Sequence, residues 1–250
     1  MDQVMRLLPL VAAVLYVLAA RRARRWPLFR TVVFVAGVVI VVAATTGPLD
    51  RAAHELLSAH MWQHLLLTLV AAPLLVWGAP VTLLLRAWSK GRPAVARILH
   101  SLPARVLSHP AITWTAFAGV MWGTHFTGFY AAALESAPLH LVEHALYLVA
   151  GGLFWWPVIG VDPARRKLSR PGRVGYLIAA LPFQSFLGVA IYSSDGVLYE
   201  PYGTGAAALS DQRTAGMVMW LAGDALLLVA IVTCIVLWLR HEAKAQMRMA

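Results

Sequence analysis

The chain has 250 residues, of which 60% are hydrophobic and 13% charged, and its mean hydropathy is +0.70. A water-soluble domain carries about 25% charged residues, so this composition excludes a soluble globule wrapped in its own polar surface. The formal net charge of +10 does not indicate a nucleic-acid binder, because long apolar runs separate the basic residues, and such residues in a membrane protein mark cytoplasmic loops.

A helix that crosses the hydrocarbon needs about 20 apolar residues, since backbone groups left unpaired in lipid are too costly. Seven stretches qualify: 3–20, 28–46, 56–77, 111–133, 139–161, 174–193 and 212–239. The first has Arg6 near its outer end and is followed by Arg21, Arg22, Arg24 and Arg25. A cleaved signal peptide carries its positive charge before the apolar run, so a retained anchor is expected. Pro73 and Pro80 are expected to bend or end the third span, and Pro182 to kink the sixth. Between the third and fourth spans, residues 81–107 are basic and amphipathic. There Val95, Ile98, Leu99, Leu102 and Val106 fall at helical spacing among Arg92, Arg97 and Arg105. One interfacial helix on the cytoplasmic leaflet is expected. The outer loop 194–211, with Tyr199, Tyr202 and Gly203, has the length to fold back as a lid.

The loops fix an orientation. Eighteen of the 21 basic residues fall at positions 21–30, 86–105, 165–173 and 240–248, and only Arg6, Arg51 and Arg213 fall on the other side. The positive-inside rule then predicts an N-terminus outside and a C-terminus in the cytoplasm. The expected fold is therefore all-α, a single seven-transmembrane-helix bundle over 1–250.

Nine histidines divide by depth. His100, His109 and His241 fall in cytoplasmic segments, where solvation is expected. His54, His60, His64, His125, His140 and His144 all map to outer loops or to the outer ends of spans three, four and five. Residues four apart share a helix face one turn apart, so His60 stacks with His64, and His140 with His144. Ionisable groups inside a membrane usually face a bundle interior with a partner, and neutral imidazole is the commonest metal-ligating side chain. The bland reading, interfacial histidines bonded to loops and headgroups, suits any one of them but not two i,i+4 pairs at one depth. Glu143 beside His144 is a candidate to orient a ligand or to pair with Arg213.

The single cysteine, Cys234, excludes an internal disulfide framework, so a soft-metal site would use His and Met. Met61, Met121, Met217 and Met219 lie in the outer halves of spans three, four and seven. Met is usually core filler, but a mixed His/Met site selects Cu(I). Histidine alone does not separate copper from zinc, and it also ligates haem iron. Asp224, near the middle of span seven and seven residues after Met217, is either a cation stepping-stone or a structural partner of Gln184 or Ser185.

Several of these residues occur in a recognisable order. His60-Met61-Trp62-Gln63-His64 precedes Ala72-Pro73-Leu74 and Gly78-Ala79-Pro80. His125-Phe126 comes before Tyr130, then His140 and Glu143-His144. Phe154-Trp155-Trp156-Pro157 leads to Asp162-Pro163. Leu198-Tyr199 with Tyr202, Asp211-Gln212, Gly216 and Met219-Trp220 complete the series. From about residue 54 to 224 the chain resembles the CtaG-type family of seven-helix membrane proteins, associated with assembly of caa3-type cytochrome c oxidase. That family is distinct from the single-span copper chaperone that shares its name. The resemblance implies a multi-pass protein of the bacterial plasma membrane, without enzymatic activity. It would hold copper, expected as Cu(I), at the outer face for oxidase subunits, after receiving it from an extracytoplasmic donor. The candidate ligands are His60, His64, His125, His140 and His144, with Met61 or Met217; His54, Glu143, Asp211 and Asp224 are further candidates. The first two spans match in hydropathy alone. Some relatives carry a fused copper-resistance membrane domain that this sequence is expected to lack. Two rival readings are a bis-His haem protein for electron transfer and an inward copper transporter.

Overall fold

The structure, a computed structural model, describes residues 2–163 and 167–247. Arg165, Arg166 and Arg248, counted above among the cytoplasmic charges, lie outside the described residues, as does the side chain of Arg6. Among the described residues the regular structure is helical throughout. Among them five stretches are long and apolar enough to cross a bilayer: Leu28–Thr45, Leu57–Ala87, Ala137–Ile159, Arg170–Tyr192 and Ala206–Gln246.

Helices α1 (Asp2–Arg22) and α2 (Leu28–Thr45) pack side by side. A short helix α3 (Gly47–Glu55) follows, where an outer loop was expected. The third apolar stretch is α4 (Leu57–Leu65), a π turn over Leu66–Ala71, and α5 (Ala72–Trp77). The π turn answers to Pro73, which has no N–H to give the preceding turn. With Ala72 N–H bonded to the Leu67 carbonyl, the Thr68 carbonyl would look to residue 73 and finds no donor. The indole of Trp155 donates to that carbonyl at 2.9 Å. A buried acceptor left unpaired costs about 1–3 kcal/mol. Trp155→Phe should therefore lower stability by that order without changing the fold, read as an earlier thermal midpoint in detergent.

Pro80 ends the helix as expected. The chain breaks at Gly78 and Ala79, the latter at φ 55°, and restarts at Pro80 in α6 (Pro80–Ala87). Two groups from elsewhere satisfy the break. Tyr16 of α1 donates to the Gly78 carbonyl at 2.6 Å while stacking on Phe34. Asp162 accepts from Val81 N, Thr82 N and Thr82 Oγ1.

Residues 81–107 do not form the one interfacial helix expected. They divide among α6, α7 (Arg92–His100) and α8 (Leu102–Leu107), because Pro93 and Pro103 each sit in a first turn, the position proline tolerates. No residue of α7 or α8 is buried, as expected of surface helices.

The expected fourth span is also divided. α9 (Pro110–His125) stops at the histidine, and Thr127 caps a separate helix α10 (Gly128–Glu135) by accepting from Phe129 N. α11 (Ala137–Ile159) and α12 (Arg170–Tyr192) follow, and α12 continues through Pro182. The last stretch is α13 (Ala206–Met217), a π turn over Val218–Ala222, and α14 (Gly223–Gln246). α12 crosses it closely at Gly188 and Gly216. A Cβ on Gly188 would stand 2.5 Å from Trp220 N, and one on Gly216 2.5 Å from Tyr192 N.

The contacts sort the loops onto two ends of the bundle. Arg86 stands over the Trp26 ring, and Asp162 meets residues 81 and 82 at one end. The other end gathers α3, the start of α4, the end of α9 and the 194–211 loop.

Candidate metal centre

At this second end, α4, α9 and α11 bring their histidines together. The ring centroids of His60 and His64 on α4 are 4.4 Å apart, and those of His140 and His144 on α11 are 4.3 Å apart. Across the helices, His60 lies 5.2 Å from His140 and 6.1 Å from His144, and His64 lies 5.4 Å from His125. His60, His64, His125 and His144 are buried and His140 is half-buried. Glu143 is fully buried and faces α4: its carboxylate oxygens stand 3.7 Å from His60 Nε2 and 3.8 Å from His64 Nε2. Those separations exceed hydrogen-bonding distance. Of the two roles open to Glu143, the pairing with Arg213 is not present, since Arg213 is exposed while Glu143 is enclosed among the histidines.

The partners of these rings fix their tautomers. His125 Nδ1 is 2.7 Å from the Met121 carbonyl. A carbonyl only accepts, so Nδ1 carries the proton and Nε2 keeps its lone pair. Tyr202 donates its hydroxyl proton to the Ala53 carbonyl at 2.9 Å and so accepts from His60 Nδ1 at 2.7 Å. That again leaves Nε2 as the open donor atom. A metal-bound imidazole typically gives its other N–H to a carbonyl or similar acceptor in this way. His60 Nε2, His125 Nε2, His140 Nε2 and both ring nitrogens of His64 and His144 are buried without a hydrogen-bond partner. Buried polar atoms are nearly always paired, so this many orphans in one place leaves room for a ligand to pair them.

The spacing fits an ion. One nitrogen each from His60, His64 and His144 lie within 4.8 Å of one another, as do ligand atoms of His60, His140 and Glu143. Two donors about 2.1 Å from a tetrahedral ion stand about 3.4 Å apart, so a closure of a few tenths of an ångström to about 1.4 Å suffices.

The 194–211 loop does fold back over this cluster. Besides Tyr202, Tyr199 donates to the His125 carbonyl at 3.1 Å, and burial pushes both phenols above their ordinary range. Gln212 holds the loop from below, accepting from Leu198 N at 2.6 Å and donating to the Gly196 carbonyl. Two residues of the cluster wall, Thr124 and Tyr147, are absent from the expectations above. They share a 2.6 Å hydrogen bond, and the Tyr147 ring lies 4.2 Å from His64. Tyr147 stands four residues after Glu143, a spacing that would have revealed it.

The remaining candidates divide. His54 is exposed on α3, with Nδ1 2.7 Å from the Asp50 carbonyl and its ring 5.6 Å from His140. Met61 is fully buried in the apolar core beside Leu57 and Leu65. Met217 is 39% exposed and is not brought into the cluster, whereas Met219 is buried. Asp211 is a helix cap: it accepts from Leu57 N, Ser58 N and Ser58 Oγ at the start of α4. Asp224 accepts from Ser185 at 2.6 Å, the structural partnership expected as one of its two readings.

The model of a family described as cytochrome c oxidase caa3 assembly factor matches residues 14–241. An uncharacterized protein of Mycobacterium bovis is 29% identical over 242 residues, covering 91% of this chain and 37% of its own length. One of Mycobacterium leprae is 28% identical over 247 residues, covering 93% of this chain and 38% of its own. The chain thus spans less than two fifths of these curated relatives. No solved structure matches it.

Proposed function

The chain belongs to the cytochrome c oxidase caa3 assembly factor family, and on that premise we propose that it holds copper for the oxidase, bound as Cu(I) by the clustered histidines. The observation that carries this reading is the set of orphaned imidazole nitrogens on three helices, closed around Glu143. His60, His64 and His144 would supply the nearest donors, with His125 and His140 beside them. Imidazole suits copper and zinc alike, but the buried carboxylate favours a single positive charge. A Cu(I) ion with ionised Glu143 is neutral overall, and taking a net charge out of water is expensive. A divalent ion would leave one charge uncompensated. A haem-copper oxidase keeps histidine-ligated copper within the membrane toward its outer side, so cargo and recipient would stand at similar depth. Copper would pass laterally to an oxidase subunit.

Copper content per purified chain tests the site. Wild type loaded with Cu(I) should retain about one equivalent through desalting, and His60→Ala/His144→Ala should retain almost none; equal copper in both would discard the assignment. The same preparation should show no Soret band, whereas a strong bis-His haem spectrum would replace copper with haem.

The proposed topology is seven crossings, with α1 and α9 completing the five longer spans, the N-terminus outside and the C-terminus in the cytoplasm of a bacterium. With Cys234 replaced, Leu198→Cys should react with an impermeant maleimide on intact cells, and Arg97→Cys only after lysis. The reverse pattern would invert the orientation.

A further inference from the structure

The cluster holds more donors than one ion can use. A tetrahedral ion takes about four, yet six imidazoles and a carboxylate form one connected series. They are graded by burial. His54 is exposed, His140 half-buried, and His60, His144, His64 and His125 are buried. Successive ring centroids along the series are 5.6 Å from His54 to His140, then 5.2 Å to His60, 4.4 Å to His64 and 5.4 Å to His125. Two groups of donors close enough to share an ion overlap in His60 alone: His60, His140 and Glu143 form the shallower, and His60, His64 and His144 the deeper.

His54 stands outside both groups but next to the shallower one. Its Nδ1 is engaged by the Asp50 carbonyl, so the proton is there and Nε2 is the open lone pair. Tyr202 covers His60 by bonding it and the Ala53 carbonyl, while His54, next in the chain, stays exposed. Of the six imidazoles, that of His54 is the exposed one, and it adjoins half-buried His140.

Resting on the copper-holding reading, we infer that His54 and His140 form an entrance station for the ion, distinct from the holding station deeper in the bundle. Cu(I) is captured by His54 and His140, passes to His60 and Glu143, and settles on His60, His64 and His144 as the outer imidazoles let go. Only metal–nitrogen and metal–oxygen bonds exchange; the oxidation state and the imidazole protons do not change. His60 serves both stations, so the ion never has to shed all its ligands at once.

The test is the rate of loading against the final content. Cu(I) is supplied at one equivalent from a chromophoric chelator, and its transfer is followed by loss of the chelate colour. His54→Ala is expected to reach the wild-type copper content at least five-fold more slowly, with an unchanged thermal midpoint. His54→Met, which restores a ligand for Cu(I), should recover most of the rate, as a purely structural role for His54 would not. Loading of His54→Ala at the wild-type rate overturns the entrance station and leaves the holding site standing. Loss of final content in His54→Ala also overturns it, since His54 would then belong to the holding site. If wild type itself takes up no copper, the site reading fails and this inference with it.

Discussion

Glu143→Gln should weaken Cu(I) retention by roughly two to nearly four powers of ten, although the side chain keeps its size. The substitution removes the one carboxyl group that, among the described residues, faces His60 and His64 and would ionise against a bound cation. An ion held there would then be a buried, uncompensated charge, a loss of about 3–5 kcal/mol, which is that range in affinity. Cells whose only copy carries Glu143→Gln should in turn lose most of their caa3-type oxidase activity while still accumulating the protein. A competition titration against a Cu(I) chelator measures the first effect, and oxidase turnover in isolated membranes the second. Wild-type affinity in Glu143→Gln would mean that the carboxylate does not face the ion.

The second large effect concerns the fold. Gly188→Leu should prevent α12 from seating against the π turn that leads into α14, because a Cβ would come within 2.5 Å of Trp220 N and 2.7 Å of the Gly216 carbonyl. These are backbone atoms and cannot rotate away. Overpacking typically costs about 1–3 kcal/mol and occasionally more; against rigid backbone on both sides the upper end is expected. Detergent-solubilised Gly188→Leu should unfold at least about 5 °C earlier than wild type, or fail to accumulate. Gly152→Ala is the matched control, since a Cβ there meets nothing within 4 Å, and its melting temperature should not fall.

Much of the centre was legible in the sequence because its logic is local. His60 with His64, and His140 with His144, need nothing beyond helical spacing to share a face, and hydropathy places all four at one depth. Tyr199 and Tyr202 are visible as a loop long enough to return. What escaped depends on partners far along the chain. Asp211 caps α4 across a separation of 154 residues from Leu57, and Asp162 caps α6 across 81 from Val81. Neither distance leaves a local trace, so Asp211 passed for a candidate ligand. Met217 failed for another reason. A strict 3.6-residue period puts it on the face of Asp224, but the π turn over Val218–Ala222 adds a residue and rotates the helix. Met217 and Met219, two residues apart, point to opposite sides of the helix in any case, and it is Met219 that is buried and Met217 that is exposed. The split of 81–107 was readable after all, because Pro93 and Pro103 are helix-start signals that the apolar spacing overshadowed. Glu143 lies between these cases: its helix was evident, but which neighbour it faces is decided by the packing of α11 on α4.

In the proposed site imidazoles from α4 and α11 close on one ion, with the α9 imidazole of His125 beside them. X-ray absorption at the copper edge of the Cu(I)-loaded protein reads that shell directly. The account predicts a first shell of nitrogen or oxygen at about 2.0 Å, with the outer-shell scattering of at least three imidazole rings. That scattering should diminish in His64→Ala and in His144→Ala, which lie on different helices. A shell dominated by sulfur, or imidazole scattering unchanged in both variants, would contradict it.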